Sequence, residues 1–229
     1  MPARLFGLIP AAGAGSRLGG EMPKQYLEVR GRPLLWHAAN ALAAERRIDT
    51  VCVVLAAGDE RWSCCDWRAF GERLAPLFCG GATRAASVYN GLVALQSTLE
   101  LDDWVLVHDA ARPCLAASDL ARLIDALWDD EVGGLLAAPL ADTLKRGDAD
   151  ARVCATEPRE RLWRAQTPQM FRYGTLLRAL AHAGEVTDES AAVESLGLRP
   201  RLVAGSAGNV KVTYPEDIVL AEALLGGRT

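Results

Sequence analysis

Residues 5–25 read LFGLIPAAGAGSRLGGEMPKQ. Leu5 to Ile9 is an apolar run of strand length. It gives way to a loop of small residues, Ala11 to Gly15, and then to Arg17 and Lys24. Small residues let a phosphate approach backbone N–H groups closely. An Arg and a Lys a short distance on can neutralise a polyphosphate. The stretch therefore reads as a first buried strand that delivers a nucleotide triphosphate loop. An ordinary glycine-rich turn after a strand is the plainer reading of the same letters.

Two familiar phosphate loops do not fit. No Gly-Lys-Ser or Gly-Lys-Thr occurs in the chain, so the P-loop pattern is absent. In the dinucleotide fingerprint Gly13 and Gly15 fit, but Leu18 stands where the third glycine belongs. Asn40 and Ala41 lie where an acidic ribose ligand would be sought. Both points argue against a NAD-binding oxidoreductase. Lysine usage supports a phosphate site. Of 25 Lys plus Arg only Lys24, Lys145 and Lys211 are Lys. A compact charge on a flexible stem can follow a moving phosphoryl group, whereas Arg forms a planar fork.

Composition bounds the answer. A length of 229 residues suits a single domain, here 1–229, with one excursion. With 50% hydrophobic residues, 24% charged and a net charge of −4, the chain resembles neither a disordered segment nor a nucleic-acid binder. No apolar run approaches the roughly 20 residues of a membrane span. The first residues lead straight into the strand, so no signal peptide is expected and a cytoplasmic location is. Six cysteines form no C-x-x-C pair, and three histidines lie far apart, against a His-based metal centre.

Strand and helix alternate. Leu5–Ile9, Val51–Leu55, Trp104–Val107 and Gly134–Ala138 read as strands. Leu34–Ala44, Arg84–Leu95, Leu120–Trp128, Thr175–Ala183 and Glu216–Leu224 read as amphipathic helices. Such alternation implies an α/β fold, a mostly parallel sheet with helices on both faces. Ligands then bind beyond the carboxyl ends of the strands. That rule puts the Ala11–Arg17 loop and the His108–Arg112 loop on one rim. Residues 140–163 interrupt the pattern. Gly147-Asp148 between Thr143-Leu144 and Arg152-Val153 reads as a hairpin, either a projecting arm that engages a second subunit or a surface loop.

Three segments carry candidate chemistry. The strand WVLVH runs into Asp109-Ala110-Ala111-Arg112. A carboxylate just past a strand end can hold a divalent metal, and Arg112 can fork onto a second phosphate. An Asp–Arg salt bridge capping the loop is the alternative. Gly80-Gly81-Ala82-Thr83 follows another short strand, where backbone could approach a base and Ser87 could hydrogen-bond its edge. A helix start capped by Thr83 reads equally well. TPQMF (167–171) and VTDES (186–190) read as polar islands between helical runs, and Lys211 reads as lying on a late strand before the final helix.

Together PAAGAGSRLG and MPKQ, GG-x-x-R-x-x-SV-x-x-GL, VHDAARP, AQTPQMF, TDE and NVKVT-x-PED resemble the 2-C-methyl-D-erythritol 4-phosphate cytidylyltransferase family of the non-mevalonate isoprenoid pathway. The motifs run from about Ile9 to Asp217 in the family's order. The resemblance implies a Rossmann-like nucleotidyltransferase fold whose β-arm, 140–163, interlocks a homodimer. It implies that Arg17 and Lys24 hold the CTP triphosphate, with Ala11, Ala12 and Gly13 as loop backbone. Gly81, Ala82 and Ser87 would recognise cytosine, Ala82 standing where relatives often carry an acid. Asp109 would serve Mg²⁺ and the substrates, with Ala110 beside it. Arg112, Thr187 and Lys211 would bind the sugar-alcohol phosphate, Lys211 also acting in catalysis. Thr143, Arg159 and Thr167 match further substrate contacts, the first two from the partner's arm. Gly208 stands where many relatives have an acid, which counts against a second metal carboxylate.

The nearest rival is ribitol-5-phosphate cytidylyltransferase, whose members tend to read LAGG and HDSVRP where this chain reads PAAG and HDAARP. A CTP-binding regulator without turnover is a second rival, opposed by the set Arg17, Lys24, Asp109 and Lys211. With the sequence ending at Thr229, soon after the last expected helix, a fused downstream synthase is not expected.

Overall fold

The first strand, β1 (Leu5–Pro10), sits near the middle of the sheet and is buried on both sides. The computed structural model describes residues 2–13 and 22–227. Leu5 and Ile9 point into one core and Phe6 and Leu8 into the other, as the two-residue period of a strand requires. The chain continues through the short hairpin β2 (Glu28–Val29) and β3 (Arg32–Pro33), helix α1 (Leu34–Ala43), β4 (Ile48–Val54), β5 (Leu74–Leu77) and α2 (Arg84–Ala94). Then come β6 (Trp104–Val107), α3 (Ala117–Leu127) and β7 (Gly133–Pro139). The hairpin β8 (Leu144–Gly147) and β9 (Val153–Glu157) precedes β10 (Trp163–Arg172), α4 (Tyr173–His182), α5 (Glu189–Glu194), β11 (Arg201–Ala204) and α6 (Pro215–Gly226).

Among the described residues the main sheet has seven strands in the order β11-β7-β10-β6-β1-β4-β5. β1 pairs in parallel with β4 and β6, β4 with β5, and β7 with β11. Only β10 runs antiparallel, between β6 and β7. α1 and α3 cover one face through Leu35, Leu42, Leu123 and Ile124. α2, α4 and α5 cover the other through Val88, Leu92, Leu176 and Val193. Each such side chain fully removed from water contributes about 1.5–3 kcal/mol. A third cluster joins α6 to Val29, Leu34 and Val212. No helix among the described residues is long and apolar enough to cross a membrane.

Three readings change. The TPQMF island is the interior of β10. Its Gln166, Thr167 and Gln169 are buried, yet each finds partners, so burial does not require apolar letters here. A proline in the run, Pro168, further disguises the strand and lies where the β10–β7 register shifts. The VTDES island opens a short helix, α5, capped by Asp188, whose Oδ1 accepts from Ala191 N–H at 2.9 Å. Lys211 lies on an irregular segment, because next to it only Val212 N–H makes a backbone bond, to the Ala111 carbonyl at 2.8 Å. Asp217 at the start of α6 accepts from the N–H groups of Thr213 and Tyr214 and pins that segment's far end.

The expected hairpin forms. β8 and β9 pair only with each other, and nearly all of residues 140–163 are exposed. A bond from Leu140 N–H to the Leu162 carbonyl continues the β7–β10 ladder outward into this arm.

Candidate active site

Asp109 follows β6 at the carboxyl rim of the sheet and is buried. Its Oδ1 accepts from Arg84 Nε at 2.8 Å, and its Oδ2 lies 2.8 Å from Lys211 Nζ and 3.9 Å from Arg112 Nε. Burial alone would raise the carboxyl. Arg84 and Lys211 outweigh it and hold Asp109 well below the usual carboxylate range. Arg84 also forks onto Glu189, with Nη1 and Nη2 at 2.7 and 3.0 Å from the two carboxylate oxygens. Glu189 is fully buried at the first turn of α5.

A cavity of about 180 Å³ opens here, lined by Ala11, Gly13, Lys24, Arg84, Asp109, Ala110 and Lys211 with neighbouring backbone. A second cavity of about 570 Å³ adjoins it, sharing Gly13 and Gln25 and extending to Gly58, Arg61 and Cys64. Gln25 donates from Nε2 to the Ala11 carbonyl at 2.7 Å, tying the turn that carries Lys24 to the end of β1. Arg84, Arg112 and Lys211 gather around Asp109, and Lys24 lines the same cavity, so cationic side chains cluster at this rim, as a site for a phosphorylated ligand requires.

The remaining candidates fall into three groups. Gly81, Ala82 and Ser87 lie where β5 passes into α2. Glycine is demanded there by packing: a Cβ at Gly80 would sit 2.2 Å from Ala12 Cβ, and one at Gly81 2.6 Å from Ala86 Cβ. Ser87 is buried, its Oγ donating to the Thr83 carbonyl and accepting from Gly81 N–H at 3.1 Å. Thr83 also caps α2, as the helix-start reading expects. Thr187 is exposed just before the Asp188 cap. Thr143 and Arg159 lie on the exposed arm and line neither cavity within one chain. Arg17 lies outside the described residues, as do residues 14–21 generally.

Thr167 is placed differently from a simple substrate contact. It is buried behind Asp109, and its hydroxyl accepts from Asp109 N–H at 3.0 Å and lies 3.0 Å from His108 Nδ1. Burial pushes His108 down to about 4, so the imidazole is neutral. The roles of Arg84, Glu189 and His108 were not legible in the sequence. All three stand inside quoted motifs, but their function lies in long-range pairing that spacing does not display.

Among the described residues no group of three or more His, Cys, Asp or Glu could hold a metal. Asp109 is the carboxylate lining the smaller cavity. Magnesium commonly binds through one or two carboxylates plus substrate phosphates, so this donor set fits an ion that arrives with a nucleotide.

Comparison with known proteins meets this geometry. The model of the IspD family, 2-C-methyl-D-erythritol 4-phosphate cytidylyltransferase, matches residues 5–227. The chain belongs to that family. A member from Azoarcus sp. (strain BH72) is 58% identical over 226 residues, covering 99% of this chain and 96% of its own. One from Nitrosospira multiformis is 58% identical over 224 residues, covering 96% and 97%. A crystal structure of a 4-diphosphocytidyl-2C-methyl-D-erythritol synthase superposes with a TM-score of 0.87 at 39% identity, covering 98% of this chain and 100% of that one. The family member from Francisella tularensis gives 0.83 at 30% identity, covering 97% and 100%. The family's fold, a nucleotidyltransferase-like α/β sheet, is therefore this chain's fold.

Proposed function

We propose that this chain transfers CMP from CTP to 2-C-methyl-D-erythritol 4-phosphate, giving 4-diphosphocytidyl-2-C-methyl-D-erythritol and pyrophosphate in isoprenoid precursor biosynthesis. The observation that carries the reading is the buried Asp109 carboxylate held by Arg84 and Lys211 beside Arg112, on the same cavity as Lys24. A phosphate monoester is already anionic at neutral pH, so its oxygen needs no strong general base. It attacks the α-phosphorus of CTP, a new P–O bond forms, and the bond to the β-phosphate oxygen breaks with release of pyrophosphate. The difficulty is bringing two anions together. Positioning and charge neutralisation then carry the rate.

Lys24 and Arg17 hold the triphosphate. Lys211 and Arg112 hold the attacking phosphate, with Thr187 beside it. The backbone of Ala11–Gly13 and the Gly81–Ser87 loop receive the nucleoside. Asp109, together with the nucleotide phosphates, would hold Mg²⁺, which would supply charge neutralisation at the α-phosphate. We place the enzyme in the cytoplasm as a single nucleotidyltransferase domain that works as a homodimer. The arm supports the dimer: Thr143 and Arg159 line neither of the two rim cavities of their own chain, while Val153, Leu162 and Trp163 expose apolar surface for a partner to cover.

The test is pyrophosphate release with CTP and Mg²⁺, comparing methylerythritol phosphate with ribitol 5-phosphate at equal concentration. Fast release with the first alone is expected. Release with the second alone would move the activity to the sister reaction, and CTP binding with silence on both would leave a non-catalytic binder.

A further inference from the structure

The Asp109–Arg112 turn carries two of the site's charged side chains. It closes with Arg112 N–H on the Asp109 carbonyl at 3.0 Å. Its outer two backbone groups, the Asp109 N–H and the Arg112 carbonyl, lie beyond that closure. Both are satisfied through one ring. His108 is fully buried, with Nε2 3.0 Å from the Arg112 carbonyl oxygen and Nδ1 3.0 Å from Thr167 Oγ1. A carbonyl only accepts, so Nε2 carries the proton. Nδ1 of the neutral ring then accepts the Thr167 hydroxyl hydrogen, and that hydroxyl oxygen accepts Asp109 N–H. The three hydrogen bonds form one directed chain from the Asp109 amide to the Arg112 carbonyl. It leaves no donor or acceptor on the ring unmatched, and no part of the reaction proposed above uses it.

We infer that His108 is a positioning residue that sets Asp109 and Arg112 through the two ends of their turn. Its two nitrogens have separable duties. The Nδ1 side, through Thr167, holds Asp109 and hence the nucleotide and its metal. The Nε2 side holds the Arg112 backbone and hence the acceptor phosphate. A residue that merely filled the core would show no such division. The inference rests on the proposed cytidylyl transfer. Wild-type turnover checks that reading separately, so its failure and the failure of this inference are distinguishable.

The experiment uses the full-length protein with CTP, Mg²⁺ and methylerythritol phosphate. His108→Asn keeps an acceptor near the Nδ1 position and loses the donor to the Arg112 carbonyl. His108→Gln keeps a donor near Nε2 and loses the partner of the Thr167 hydroxyl. Thermal unfolding verifies folding of both. The expected result is crossed. The Asn variant raises KM for methylerythritol phosphate roughly tenfold, the scale of one buried group left unpaired, with KM for CTP within about threefold of wild type. The Gln variant lowers kcat and raises KM for CTP on the same scale, with KM for methylerythritol phosphate little changed. Equal shifts of the same parameters in both variants, or no shift in either, would overturn the assignment. If neither folds, Thr167→Val cuts the chain at its middle link. Reproduction of the pattern expected for the Gln variant supports the inference, and unchanged kinetics overturn it.

Discussion

Arg84 holds two carboxylates at once. One belongs to Asp109 at the rim, the other to Glu189, which lies 105 positions away in the chain. Glu189 offers its charge to no solvent, so the pair stands or falls together. Replacing Glu189 by Gln leaves Arg84 with one carboxylate fewer in a half-closed setting. We expect a loss of about 3 kcal/mol in urea unfolding. Turnover should also fall, because Arg84 loses its fixed orientation against Asp109. An unfolding midpoint unchanged from wild type would sink this account. Lys24, Asp109 and Lys211 were legible from type and context: rare lysines, and a carboxylate just past an apolar strand. Arg84 and Glu189 were visible only as letters inside motifs, since what matters about them is a contact made by folding.

At the scale of elements, apolar runs and small-residue breaks marked β1, β4, β6 and β7, and helical periodicity marked the long helices. β10 escaped because it buries amides and a hydroxyl that the fold satisfies from other elements. α5 escaped because six residues are too few to show a period. The segment that carries Lys211 has its own anchor. Asp119, buried in the first turn of α3, accepts from Ser206 N–H at 2.9 Å and from Arg122 Nη1 at 2.9 Å. Burial would raise its carboxyl, but the bonds from Ser206 and Arg122 hold it below its ordinary value. A carboxyl lower in the folded than in the unfolded chain stabilises above the unfolded value, about 3.9, and ceases to do so as pH falls through the folded one. Asp119→Asn should therefore be less stable than wild type at pH 7, with the gap closing below about pH 4. Unfolding midpoints measured from pH 7 to pH 3 read this directly. A gap independent of pH would contradict the role given to Asp119.

For the whole molecule the question is whether one chain suffices. Thr143 and Arg159 lie on an arm that pairs with itself and leaves the sheet, so in the proposed dimer they serve the neighbour's cavity. Arg159→Ala should lower activity, as should Lys24→Ala. Mixing the two under confirmed subunit exchange should restore part of it, because one hybrid site then holds an intact arm and an intact Lys24. No recovery would count against a shared site. The distribution of amines bears on the same arrangement. Lys24 and Lys211 line one cavity, and Lys145 sits on the arm, where its Nζ reaches Thr156 Oγ1 at 2.7 Å. Apart from the chain's own terminus, those three side chains are every target that an amine-acylating reagent has in this protein. A single mass-spectrometric labelling experiment thus has two reporters on occupancy of the cavity and one on the arm, with no lysine elsewhere to blur the reading.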